Sequence, residues 1–165
     1  MRPAAASSSL ATPSACPATA LKPPGPASYP RTRPYLTKYR ETSRYADVRQ
    51  FLDSLRKLRA PLVFGSIGKT NEGREIPFVI ASRPLVSTPS EAKRLGRPIV
   101  YVQANIHAGE VEGKEALLSL LRDLTFSGKP NALDSIVLIA VPSYNAGGKE
   151  RFAPQSGTQK APKGA

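Results

Sequence analysis

The sequence predicts an α/β fold, and two observations carry that prediction. Residues 98–106 and 136–141 are continuous runs of β-forming side chains, and between them Ala116, Leu117, Leu120, Leu121 and Leu124 recur at helical spacing. Strand, helix and strand in one short stretch make a βαβ crossover, which pairs its strands in parallel.

The elements upstream fit the same class. Thr42 or Ser43 is a candidate N-cap for a helix in which Tyr45, Val48, Phe51, Leu52, Leu55 and Leu58 line one face and Pro61 marks the end. The apolar runs 62–67 and 76–81 flank the polar turn Thr70-Asn71-Glu72-Gly73, the pattern of a β-hairpin. Pro77 lacks a backbone donor, so its strand is expected at an edge or with an irregular start. Residues 83–97 read as a polar connection with one short helical turn between Ser87 and Leu95. The helix of residues 112–124 is broken by Ser127-Gly128-Lys129-Pro130, and Pro142 stops the last strand.

Composition sets the organisation. Eight of the 17 prolines fall in residues 1–34, a segment of Ala, Pro, Ser and Thr that cannot bury enough surface to offset its ordering entropy. The expectation is a disordered head over 1–34, a folded unit over 35–152 and a disordered tail over 153–165. The formal charge of +12 follows that division, with +8 in residues 1–60 and only +2 in 61–152. A basic flank attracts nucleic acid or anionic membrane, but no nucleic-acid motif accompanies it, and a solvated arm accounts for the charge. Cys16 is the single cysteine, so no intrachain disulfide framework exists. No run approaches the roughly 20 apolar residues of a membrane span, and residues 1–15 hold no apolar core of a secretory signal.

The candidate chemistry sits at His107, the only histidine, and Glu110, three residues on. Both follow a strand and precede a helix, where open α/β sheets place their ligands. An imidazole and a carboxylate at that offset, with Gly109 between them, can turn toward one metal ion. By itself the pair is a common coincidence: Glu110 could simply favour the helix dipole and His107 could bond a loop carbonyl.

The surroundings are more specific. Gln103-Ala104-Asn105-Ile106-His107-Ala108-Gly109-Glu110-Val111-Glu112-Gly113-Lys114-Glu115-Ala116 resembles the first zinc-binding motif of the zinc carboxypeptidases of the carboxypeptidase A type. Gly73-Arg74-Glu75-Ile76-Pro77 resembles the family's preceding strand, and the stretch from Val141 to Phe152 is similar to the segment after its next core strand. The resemblance runs in order over about residues 40–152. It implies a partial zinc-exopeptidase fold, a mixed and mostly parallel sheet with flanking helices, reaching only the N-terminal part of the catalytic domain.

The same resemblance implies that His107 and Glu110 are the first two zinc ligands, in a family whose ligand set is His₂Glu. The family's second histidine, its general-base glutamate, its substrate-binding asparagine and arginine and its specificity tyrosine all lie beyond residue 152. No catalytic residue is therefore expected in this chain, and Zn²⁺ is expected to bind weakly at an incomplete site. Gly147 stands where the family usually carries an acidic residue. The implied function is hydrolysis of C-terminal residues from peptides, with this chain inactive alone. A shortened or frameshifted reading of a longer gene would explain the foreign composition of both ends. The alternatives are a zinc amidohydrolase of the same fold acting on acylated amino acids, a non-catalytic binding module using the basic arm, and a polypeptide without function. Family members are often secreted or periplasmic, a location this N-terminus does not announce.

Overall fold

The structure, a computed structural model, describes residues 29–147 apart from residue 108. Expectations for residues 1–28, and for everything beyond Gly147 including the tail 153–165, lie outside the described residues. The elements run α1 (Arg33–Leu36), α2 (Tyr45–Lys57), β1 (Val63–Lys69), β2 (Glu75–Ala81), α3 (Pro89–Leu95), β3 (Ile99–Gln103), α4 (Glu112–Phe126), a 3₁₀ turn (Ala132–Asp134) and β4 (Val137–Val141). Every expected helix and strand is present. Order begins before the expected Tyr35: Tyr29 stacks on Phe126 with ring centroids 4.8 Å apart, and Thr32 and Pro34 are buried. One aromatic ring and one proline in a proline-rich stretch suffice once a partner is supplied from far along the chain.

The sheet is mixed, in the order β1-β2-β4-β3. The crossover from β3 through α4 to β4 yields the expected parallel pair, with Ile99 opposite Val137 and Gln103 opposite Val141. The other two pairings, β1–β2 and β2–β4, are antiparallel: β1 and β2 are neighbours across a short turn, whereas β4 reaches β2 only after the crossover, so one of the three pairings among the described residues is parallel. Pro77 is not on an edge strand: β2 lies inside the sheet. It escapes conflict because the β2–β4 ladder spans only Val79 to Ala81, while on the β1 side the register slips between Ser66 and Lys69.

One face of the sheet carries the core. Val79, Ala81, Leu138 and Ala140 pack with Val48, Phe51, Leu52 and Leu55 of α2 and Leu117, Leu118 and Leu121 of α4. On the opposite face Val86 and the α3 residues Ala92 and Leu95 pack over Val137 and Ile80. Arg83 reaches across to finish α4, donating to Leu124 O at 3.0 Å and Lys129 O at 2.9 Å. It supplies the cation that the last turn of α4 lacks in its own sequence.

The capping expectation for α2 needs correcting. Arg44 is the N-cap, and its N–H donates to Asp47 Oδ2 at 2.7 Å. Thr42 and Ser43 are drawn instead to α4. Glu115 accepts from Ser43 N–H at 2.6 Å, Ser43 Oγ at 2.7 Å and Thr42 Oγ1 at 2.8 Å. Lys114, fully buried, donates to Ser43 O at 2.6 Å and Thr42 Oγ1 at 2.9 Å, with Glu115 Oε1 3.2 Å away. A charged pair inside the fold thus ties the entry of α2 to the first turn of α4.

Gly65 makes a local test of the hairpin. It faces Phe78 across β1 and β2, and a Cβ built on it falls 2.5 Å from the Phe78 ring. Gly65→Ala is expected to push that ring off the strand and cost about 1–2 kcal/mol in urea unfolding. In a Phe78→Ala background the same change should cost nothing, since alanine suits a strand better than glycine. An equal cost in both backgrounds would refute the contact.

Candidate metal centre

The loop from Ala104 to Val111 carries the two candidate ligands from β3 to α4. His107 follows the strand's C-terminal end and Glu110 precedes the helix. Their side chains meet, with His107 Nδ1 2.7 Å from Glu110 Oε1. Both are open to solvent, at 64% and 54% of side-chain exposure. The same-sided geometry that the sequence predicts for this pair is therefore what the fold produces.

Sequence reasoning passed over the residue that shapes the loop. Asn105 is 3% exposed and holds φ at +55°, a left-handed conformation that asparagine tolerates better than most residues. From there its Nδ2 donates to His107 O at 2.9 Å and Glu110 O at 3.1 Å, pulling both ends of the turn onto one amide. The turn itself is closed by Glu110 N–H on His107 O at 3.2 Å. The segment after β4 backs this arrangement: Tyr144 N–H donates to Ala104 O, Asn145 N–H to Asn105 O and Asn145 Nδ2 to Ile106 O. The legible signal was a run of β-forming residues ending in an asparagine two residues before the histidine, a residue type that tolerates left-handed backbone; the strand itself, expected to be buried, is exposed at Ile99, Val100 and Tyr101. α4 starts close to the end of β3, where a Cβ at Gly113 would lie 3.4 Å from Ala104 Cβ, at the near limit of ordinary contact.

In kind and in convergence, the two donors suit zinc: an imidazole nitrogen and a carboxylate oxygen on one turn. In number they fall short. Among the described residues no group of three His, Cys, Asp or Glu side chains converges to hold a metal. A cavity of about 430 Å³ lies beside the loop, between the β1–β2 turn (Thr70, Asn71, Glu72) and the Tyr144–Gly147 segment, but it borders Ile106 rather than the His107–Glu110 pair. Gly147, in the place of an expected acidic residue, sits against Thr70 at the edge of that cavity. Among the described residues no helix is long and apolar enough to cross a membrane.

The profile of the zinc carboxypeptidase family matches residues 48–162. The probable carboxypeptidase 2 of Trichophyton verrucosum (strain HKI 0517) is 33% identical over 84 residues, which is 48% of this chain and 15% of that protein. Carboxypeptidase 2 of Trichophyton rubrum is 32% identical over 82 residues, with the same coverage. The fold resembles carboxypeptidase A from Helicoverpa armigera, with a TM-score of 0.56 and 20% identity over 67% of this chain and 26% of that one. It also resembles bovine thrombin-activatable fibrinolysis inhibitor, solved in complex with tick carboxypeptidase inhibitor, with a TM-score of 0.55 and 14% identity over 68% of this chain and 34% of that one. The chain thus spans about a seventh of the length of the curated relatives it matches. With a profile match over most of its length and a βαβ unit that presents His107 and Glu110 together, the chain belongs to the zinc carboxypeptidase family.

Proposed function

We propose that this chain contributes His107 and Glu110 as zinc ligands to a metallocarboxypeptidase site that acts on the C-terminal residues of peptides. The observation that carries the reading is the 2.7 Å approach of His107 Nδ1 to Glu110 Oε1 on a turn held by Asn105. When bound, zinc supplies Lewis acidity for carbonyl polarisation and water activation. This chain's own residues do less: they orient two donors. A catalytic zinc needs three protein ligands, and catalysis needs a base and a substrate clamp besides. With a single histidine in 165 residues, the chain alone is proposed to bind zinc weakly and to leave peptides intact.

Calorimetric zinc titration of the full chain, in a Cys16→Ser background to remove the thiol, tests the ligand assignment. His107→Ala and Glu110→Gln are each expected to lower affinity at least about tenfold, while Glu72→Gln leaves it unchanged. Undiminished binding by His107→Ala would sink the assignment. In parallel, release of C-terminal amino acids from a peptide mixture is expected to stay at the level of the zinc blank. Zinc-dependent turnover that disappears with His107→Ala would mean that the chain forms a complete catalyst. The curated relatives in sequence are named carboxypeptidases, which favours peptides over acylated amino acids as the substrate class.

A further inference from the structure

We infer that α1 and the chain reversal after it form a docking surface for the anionic face of a lipid bilayer. Thr32 and Pro34 are buried and hold the segment down. Its large side chains stay outside: Tyr35 is 49%, Leu36 65% and Tyr39 82% exposed. The backbone keeps them there. Lys38 and Tyr39 hold φ at +53° and +62°, a region uncommon for both residue types. Tyr39 N–H donates to Pro34 O at 2.7 Å and Arg40 N–H to Thr37 O at 3.2 Å, so the reversal is closed by its own hydrogen bonds.

Charge surrounds these side chains. Residues 31–44 carry Arg31, Arg33, Lys38, Arg40 and Arg44 against a single acid, Glu41, and all five cations are exposed. Glu41 takes up one of them, accepting from Arg33 Nε at 2.7 Å. The guanidinium of Arg31 lies 4.5 Å over the Tyr35 ring, and Arg31, Arg33 and Leu36 border one cavity beside Asp47, Gln50 and Ser54 of α2. Cations and apolar tips thus share one surface. It lies over α2, which Tyr45 and Arg49 tie to Glu75 of β2 and Arg56 to Phe64 of β1. That is the end of the sheet opposite β3.

The chemistry selects a bilayer. Arginine and lysine meet anionic head groups, while tyrosine and leucine tips enter the boundary between head groups and acyl chains. Single-stranded nucleic acid also seeks cations and aromatics, but it binds by stacking bases on ring faces. Leu36 offers no ring, and one face of Tyr35 is taken by Arg31. The formal charge of +12 draws the whole chain toward an anionic surface.

Co-sedimentation of the full 165-residue chain with vesicles measures the binding. Vesicles of two parts phosphatidylcholine to one part phosphatidylserine are expected to retain the chain, pure phosphatidylcholine is not, and raised salt should release it. Lys38→Glu with Arg40→Glu is expected to weaken binding at least about tenfold. The same charge change on the other face of the sheet, Lys93→Glu with Arg94→Glu in α3, should weaken it less than about threefold. Leu36→Ser with Tyr39→Ser keeps the charge and should still weaken binding at least about tenfold. Unchanged amide-exchange protection of β4 establishes that each variant is folded. The inference is overturned if the chain ignores anionic vesicles at low salt, or if the α3 pair weakens binding as much as the Lys38–Arg40 pair. Full binding by the Leu36–Tyr39 variant would overturn it too, leaving only adsorption by charge. Tighter binding of oligodeoxythymidine than of vesicles, lost in the same variants, would assign the surface to nucleic acid instead.

Discussion

Glu115→Gln is expected to lower the unfolding free energy by about 3–5 kcal/mol, a cost typical of stranding a buried charge. Lys114 has no solvent exposure, and Glu115 is the carboxylate at its side, 3.2 Å away. The amide keeps one acceptor for Ser43 and Thr42 and withdraws the counter-charge from the ammonium. Lys114→Met should cost less, since the remaining carboxylate keeps its donors from Ser43 and Thr42. The double variant should cost less than the two single costs added, because its second change removes the charge that the first one strands. Urea midpoints with an unchanged slope give these numbers directly. A Glu115→Gln variant within about 0.5 kcal/mol of the parent would mean that the pair contributes nothing.

The same carboxylate sets an acid limit. Burial pushes Glu115 toward higher pKa, but hydrogen bonds from Ser43 and Thr42 and the Lys114 charge outweigh it, and its pKa lies below the ordinary carboxylate value. A lowered folded pKa means that the unfolded chain takes up the proton more readily. The stabilisation is therefore complete above the ordinary range, near pH 4.3–4.5, and is lost as pH falls through the folded value. The gap between parent and Glu115→Gln should be full at neutral pH and close in acid, where a protonated Glu115 resembles the amide.

Asn105→Ala is the second large effect, and it touches the loop of the two proposed zinc ligands without removing either. Alanine gives up the two loop hydrogen bonds and the contact with Ser143 Oγ, and it must hold φ near +55° without a side chain suited to that region. Together these should cost about 2–4 kcal/mol. Zinc affinity should fall about tenfold or more, the scale on which groups behind a ligand act. Asn105→Gly separates the two causes: it relieves the backbone and still loses the amide. Recovered stability with persistently weak zinc binding is the expected pattern. Zinc affinity equal to the parent in both variants would show that the His107–Glu110 turn holds itself.

Periodicity located the helices and strands because burying one face imposes it locally. Val48, Phe51, Leu52 and Leu55 recur in α2 for that reason; in α4 the expected face holds at Leu117 and Leu121, but Ala116 and Leu120 are exposed and Leu118 is buried instead. The meeting of His107 and Glu110 was legible for a similar reason, since two side chains three residues apart on one turn are a local matter. Thr42 and Ser43 misled because capping chemistry is equally good chemistry for a distant carboxylate. Their partner Glu115 is more than seventy residues away, and no local rule weighs that competition.

The sequence by itself determined the element order, the βαβ unit and the convergence of His107 and Glu110, all of which depend on neighbours a few residues apart. Only the tertiary structure decided that Tyr29 belongs to the fold, that β2 runs inside the sheet with Pro77 beyond the reach of β4, and that Lys114 is buried. Among the described residues it left Ile99 and Tyr101 exposed on the end strand of the sheet. These depend on which surfaces meet across long stretches of chain. Such contacts are set by the packing of whole elements, because a side chain's environment belongs to the assembled core and not to its place in the sequence.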